Sequence, residues 1–321
     1  MERKQEAEVA RTRVVLLLGW PARYSLSPPM HEAGFRAVGL DWCYRPLDVP
    51  PGTLEAVGSV LRLPSVVGAN VTIPHKEGAV SIVDGLTSRA RVAGALNTII
   101  KTGDTLVGDN TDGVGLLRAL AKRGQTPAGR RVVLFGAGGA ARGVAAALAQ
   151  SGAREIVILN RGRDRALRLR DVALTAGGGR LRAEVRPWFR EDDDLRTLVD
   201  AMEGADIVVN ATPVTRDPSS SPVPDEVLDA ISPSRDCIVC DMVYRPAATK
   251  LLLQGRSLGL RVVSGLEILF HQAIPAFEAW TGHKAPSEAV EAMELALHAA
   301  AAAADRLGGE GLERAPVHDR R

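Results

Sequence analysis

Cysteine, aromatic residues, net charge and long apolar runs are all scarce in this chain of 321 residues. Three cysteines, an odd number at this length, do not make a disulfide framework, and a reducing compartment is the simplest setting. Phe, Trp and Tyr make up 4% of a composition that is 45% apolar, so the cores are expected to be built from aliphatic side chains and alanine. Forty Lys and Arg against 38 Asp and Glu leave +2, too small a bias to give a field that attracts nucleic acid or a membrane surface. A small polar molecule is the expected partner. No stretch of 18 apolar residues occurs, and the opening MERKQEAEVARTR lacks the apolar segment of a secretory signal. Neither insertion nor export is signalled, and a cytoplasmic location is expected.

Metal binding and cysteine pairing find little support. Cys237-Ile-Val-Cys240 has CxxC spacing but lies in CIVCDMVY, which reads as a buried strand, and strand residues three apart face opposite sides. The six histidines form no HExxH pattern, so no metal site is expected.

What the sequence has is strand and helix in alternation. Strands are predicted at Val14–Leu18, Trp42–Leu47 and Val66–Thr72, with helices from about Pro28, Gly52 and His75. Ala95–Ile100 and Thr105–Gly108 are strands around the turn Lys101–Asp104, followed by a helix over Gly113–Lys122. Then come Val132–Phe135, a small-residue helix Ala140–Gln150 stopped by Gly152, and strands Ile156–Leu159, Asp206–Ala211, Ile238–Met242 and Arg261–Val263. From Gly265 two helical segments run to about Ala304. The expected class is α/β with two α/β domains. A substrate-binding catalytic domain spans 1–112 and a Rossmann-type, doubly wound parallel sheet spans 113–264. The C-terminal helices of 265–321 pack back on the first domain and end in a loose tail after Leu307.

Chemistry concentrates in short polar runs. NVTIPHK places Lys76 after a strand and a proline, in what reads as a first helical turn, where the positive end of the helix dipole would lower its pKa and suit it to proton transfer. GDNTDG places Asp112 at a helix start, able to act as an N-cap and to face a substrate. Ser25 and Ser27 in YSLSP offer two hydroxyls near another helix start, either as carboxylate ligands or as ordinary caps. Asn70, Thr72 and Asn97 supply neutral donors and acceptors at strand ends. The loop Gly136-Ala137-Gly138-Gly139-Ala140-Ala141 leaves a strand and opens a helix, as a pyrophosphate-binding turn does. The next strand ends in Asn160-Arg161, with Arg165 nearby. NAD sites usually carry a carboxylate there, and a guanidinium suits a 2′-phosphate, so NADP is the expected cofactor.

In order, YSLSP, NVTIPHK, AGALNT, GDNTDG, GAGGAARG, NRGRDRA, NAT and GLEILFHQ resemble the motifs of the shikimate dehydrogenase family, from about Val14 to about Ala304. The resemblance implies reversible, metal-free reduction of 3-dehydroshikimate to shikimate with NADPH, a step of chorismate and aromatic amino-acid biosynthesis, by a monomer or homodimer. It implies that Lys76 and Asp112 are the catalytic pair and that Ser25 and Ser27 hold the carboxylate, with Tyr244 near it. Thr72, Asn97, Asp112 and Gln272 meet the ring hydroxyls, supported by Asn70. Gly136 to Ala141, Asn160, Arg161 and Arg165 bind NADP, together with Asn210, Ala211, Thr212, Met242 and Gly265. Tyr24, Gly162 and Thr215 depart from the family pattern. A quinate/shikimate or aminoshikimate dehydrogenase, and a catalytically silent NADP-binding regulator, are the alternative readings on this scaffold.

Overall fold

The computed structural model describes residues 13–188 and 193–307, and its strands form two six-stranded sheets. The first contains β1 (Arg13–Gly19), β2 (Trp42–Asp48), β3 (Val66–Val71), β4 (Gly85–Leu86), β5 (Thr98–Thr102) and β6 (Thr105–Asp109), in the order β2-β1-β3-β5-β6-β4. β1 runs parallel to β2 and β3, each joined through a crossover, whereas β5 is antiparallel to both β3 and β6. The turn at Gly103 is too short for a crossover, so β5 and β6 form a hairpin and the sheet is mixed. Its helices are α1 (Ser27–Ala37), α2 (Val57–Leu61) and α3 (Ser88–Ala93).

The helix expected from His75 does not form. Lys76 sits in a turn, and only a 3₁₀ helix follows, over Gly78–Ile82. Pro74 holds Ile73 extended, and the segment from Gly78 to Gly85 is rich in glycine and β-branched residues, all poor helix formers. The helix-dipole argument for Lys76 therefore has no helix to act from. The helix placed near Gly52 is likewise a 3₁₀ turn, Leu54–Ala56, running into the short α2.

After α4 (Asp112–Ala121), the second sheet is wound from β7 (Arg131–Phe135), α5 (Gly139–Gln150), β8 (Glu155–Asn160), α6 (Arg163–Gly177), β9 (Arg182–Pro187), α7 (Asp193–Met202), β10 (Ile207–Asn210), β11 (Ile238–Asp241), α8 (Lys250–Ser257) and β12 (Arg261–Val263). The order β12-β11-β10-β7-β8-β9 is parallel throughout and reverses direction between β7 and β10, the switch point where such sheets bind ligands. β9 escaped the sequence reading because it is an edge strand whose RAEVRP carries charge in place of an apolar pattern. Cys237 and Cys240 enter the cores on opposite sides of this sheet, and burial pushes the Cys237 thiol up to about 12.

α9 (Gly265–Thr281) starts in a capping box, where Ser264 accepts from the Glu267 backbone and Glu267 reaches back to Ser264. α9 packs on α4, and α10 (Ser287–Leu307) packs on α1. Phe277, Trp280, Met293 and Leu297 thereby share one core with Val15, Phe35 and Tyr44 of the first half. The tail after Leu307 lies outside the described residues. None of the described helices is long and apolar enough to cross a membrane.

In that core His31 is buried, its ring stacked on Tyr44 at 4.9 Å and 6°, with Trp280 edge-on at 5.1 Å and Nδ1 without a hydrogen bond. Burial pulls its pKa from 6.5 to about 3. The folded protein holds His31 neutral while the unfolded chain binds a proton below 6.5, so its contribution is complete above 6.5 and declines as the pH falls toward 3. The slope is at most about 1.4 kcal/mol per pH unit. His31→Phe, which keeps the stack, should flatten the fall in unfolding free energy between pH 6.5 and 4, measured by urea titration. An unchanged slope would mean that His31 does not drive it.

Candidate active site

Lys76 and Asp112 meet between the two sheets. The Lys76 Nζ lies 2.6 Å from Asp112 Oδ2, with the lysine side chain 12% exposed and the carboxylate 1%. Asp112 is the first residue of α4 and does not cap it, since Thr111 occupies the cap position without a side-chain bond. The carboxylate instead uses its other oxygen, Oδ1, to accept from Asn97 Nδ2 at 3.0 Å. Its backbone N–H is taken by Asn110 Oδ1, whose Nδ2 donates to Ala95 O. The GDNTDG run is thus a chain of side-chain locks around one carboxylate. It opens with Asp109, whose burial is outweighed by Arg89 and Thr87, leaving it below the usual carboxylate range.

Asn97 ties the surrounding groups together. Its Oδ1 accepts from the Thr111 N–H at 2.8 Å, which fixes the amide orientation, so Nδ2 faces Asp112, Thr111 Oγ1 at 2.9 Å and Gln272 Oε1 at 3.2 Å. Gln272 comes from α9, 175 residues away in sequence. Asn70, on β3, donates to Asn97 O at 2.9 Å and accepts from the Tyr44 hydroxyl at 2.8 Å. Tyr44 is fully buried. Ser27 starts α1 and is 6% exposed, and its N–H donates to Ser25 Oγ at 3.1 Å. Half-buried Thr72 follows β3, and Tyr244 packs against the same core. The five polar side chains Asn70, Asn97, Lys76, Asp112 and Gln272 are therefore linked by a hydrogen-bonded run that Tyr44 extends, with Ser25 and Ser27 bonded to each other nearby. Tyr44 and Thr111 were missed in the sequence reading. Thr111 was visible inside GDNTDG, but Tyr44 sits in the unmarked strand WCYRPLD and carried no signal.

The Gly-rich loop reaches this cluster directly. Gly136 leaves β7 with φ +99, and a Cβ there would lie 2.9 Å from Thr212 Cγ2, so only glycine makes the turn. Gly139 opens α5, and a Cβ on it would lie 2.6 Å from Lys76 Cβ. Its lack of a side chain lets the first turn of α5 close on the lysine. Ala137 and Ala141 are buried, whereas Gly138 and Ala140 are half-buried and a Cβ on Gly138 would meet open space. The Gly136 N–H is taken by Leu159 O, and the turn is open on its Gly138 side. Arg142, also missed, donates from Nε to Ala93 O at 2.6 Å and clamps α5 to the C-terminal end of α3.

Other expected cofactor positions fall into two kinds. Exposed Arg161 has no carboxylate partner among the described residues, and Asn160 Nδ2 donates to Gly162 O at 2.8 Å. Arg165 is engaged across the cleft by Glu77 at 2.8 Å. Asn210 is fully buried and saturated within the fold: its amide reaches Thr212, Thr215 and Asp241. It holds the end of β10 and leaves no polar atom for a ligand. Thr215 is accounted for here, because its hydroxyl accepts from Asn210 at 3.1 Å. Burial raises Asp241 despite those bonds. Ala211, Thr212 and Met242 line the same strand ends, and Gly265 packs where a Cβ would lie 2.3 Å from Val243 O.

The sequence matches three family models in chain order. They are the shikimate dehydrogenase substrate binding domain over residues 17–99, shikimate / quinate 5-dehydrogenase over 119–217 and the shikimate 5′-dehydrogenase C-terminal domain over 265–294. It is 39% identical over 296 residues to a curated shikimate dehydrogenase (NADP(+)) of Symbiobacterium thermophilum, covering 92% of this chain and 98% of that protein. Identity is 44% over 274 residues to the enzyme of that name from Rubrobacter xylanophilus, covering 84% and 91%. The crystal structure of shikimate 5-dehydrogenase from Thermus thermophilus in complex with NADP(H) and shikimate superposes with a TM-score of 0.74 at 34% identity, covering 90% of this chain and all of that one. This chain belongs to the shikimate dehydrogenase family.

Proposed function

We propose that the chain is an NADP-dependent oxidoreductase that reversibly reduces 3-dehydroshikimate to shikimate in aromatic amino-acid biosynthesis. One observation carries the reading: the buried Lys76–Asp112 pair lies where the Gly139 turn of the dinucleotide loop meets the amide cluster of Asn97 and Gln272. In this reading residues 1–112 and the helices from 265 hold substrate, and residues 113–264 hold cofactor.

The bound cofactor supplies or takes the hydride. Lys76 donates a hydrogen bond to the substrate carbonyl oxygen, stabilises the negative charge that grows there and delivers the proton. Asp112 keeps the ammonium aimed and accepts from a neighbouring ring hydroxyl, while Asn97, Thr72 and Gln272 meet the remaining hydroxyls. Ser25 and Ser27 bind the carboxylate, with Tyr244 closing that end. Asn70 acts through Tyr44 and Asn97 and holds the pocket in register.

The quinate reading is kept because one matched family model names both substrates. Quinate adds a hydroxyl on the carbon that bears the carboxylate, and the wall there is Ser27, buried and tied through its N–H to Ser25. A pocket that must accommodate and satisfy another hydroxyl discriminates against it. A substrate panel scored by NADP reduction should give shikimate a kcat/KM at least about tenfold above quinate. Comparable values would move the assignment to a quinate/shikimate dehydrogenase, and no turnover of either would leave a silent NADP-binding protein.

Cofactor choice rests on Arg161, the guanidinium at the end of β8 that no carboxylate among the described residues holds. Arg161→Ala should raise the KM for NADP about tenfold and leave that for NAD nearly unchanged, the worth of one solvent-exposed, charge-assisted phosphate contact. Equal kcat/KM for the two cofactors in the unmutated protein would remove Arg161 from the site.

A further inference from the structure

Glu77, the residue after the catalytic lysine, touches the cofactor half of the molecule. Its Oε1 lies 2.8 Å from Arg165 Nη2, and its Oε2 lies 4.0 Å from Arg142 Nη1. The two guanidiniums differ in freedom. Arg142 is 15% exposed and anchored by Ala93 O, whereas Arg165 is 56% exposed and has Glu77 as its one partner among the described residues. Arg165 also lies in the first turn of α6, immediately after Asn160 and Arg161 at the strand end where a ribose 2′-phosphate is read.

A carboxylate and a phosphate are rival acceptors for one planar guanidinium. We propose that Glu77 is a specificity-determining residue for the cofactor, an internal anion that holds Arg165 and must yield it when the 2′-phosphate arrives. It lowers the affinity for NADP, leaves that for NAD alone, and so narrows the preference between them. Arg142 gives the displaced carboxylate a second cation to turn to, so the exchange strands no charge. The inference rests on reading Arg165 as a phosphate ligand. Because an exposed ion pair is weak, the effect is about twofold to fivefold.

Dissociation constants for NADP and NAD, measured by calorimetry on the full chain, test it. Glu77→Gln should tighten NADP about twofold to fivefold and leave NAD unchanged, and the gain should shrink in about 0.5 M salt. In an Arg165→Gln background the Glu77→Gln gain should vanish. Unchanged or weaker NADP binding by Glu77→Gln would overturn the inference, as would equal tightening of both cofactors. If Arg165→Gln weakens NADP and Glu77→Gln still gives no gain, this inference alone fails. If Arg165→Gln leaves NADP binding intact, the Arg165 assignment fails with it.

Discussion

The interior of this molecule is organised around a lysine and a carboxylate buried against each other. Removing both charges from water costs several kcal/mol per ion, and the mutual attraction offsets this only when the remaining lone pairs are satisfied and the geometry is held. Asn97 satisfies the second carboxylate oxygen, and Asn110 takes the backbone N–H of Asp112. Gly139 lets α5 close over the lysine without a side chain between them. Lys76, Asn97, the Asn110–Asp112 run and Gly139 come from separate stretches of the chain. The pair therefore requires that both sheets, α4 and α9 be in place together.

That requirement explains the path of the chain. α4 begins at Asp112 and packs on both α5 and α9, so the helix that fixes the carboxylate also joins the two sheets. α9 returns from the end of the second sheet to the first, bringing Gln272 to Asn97, and its Trp280 indole donates to Ile99 O at 3.0 Å. Arg123, in the turn just past α4, grips Glu267 through two bonds of 2.6 and 2.8 Å, and Glu267 also closes the capping box of α9. A reaction at the seam of two sheets thus has its walls set by helices that cross it.

Much of this was legible in the residues. The glycines around Gly136 and the strand before them pointed to a tight strand-to-helix turn, and Gly136 does leave the strand with a positive φ. The strands of the second sheet showed as apolar runs, except for β9, whose charged edge hides it. Lys76 was singled out for an incomplete reason. The residue type and its place after a strand were informative, but the turn carries no α-helix, and the partner that fixes the lysine comes from 36 residues later. Contacts of that range leave no local pattern. The same holds for Tyr44 under Asn70, for Asn210 locked into Thr215 and Asp241, and for Glu77 on Arg165, all of which need the fold before they can be seen.

In the proposed mechanism Lys76 and Asp112 act as one unit. A double-mutant cycle on kcat for shikimate oxidation by NADP, with Lys76→Ala, Asp112→Ala and the combined variant each checked for folding, tests it most directly. Each single change should lower kcat by about 10² to 10⁴, and the double variant should fall no further than the worse single one. Losses that multiply would mean that the two residues contribute independently and do not form a unit.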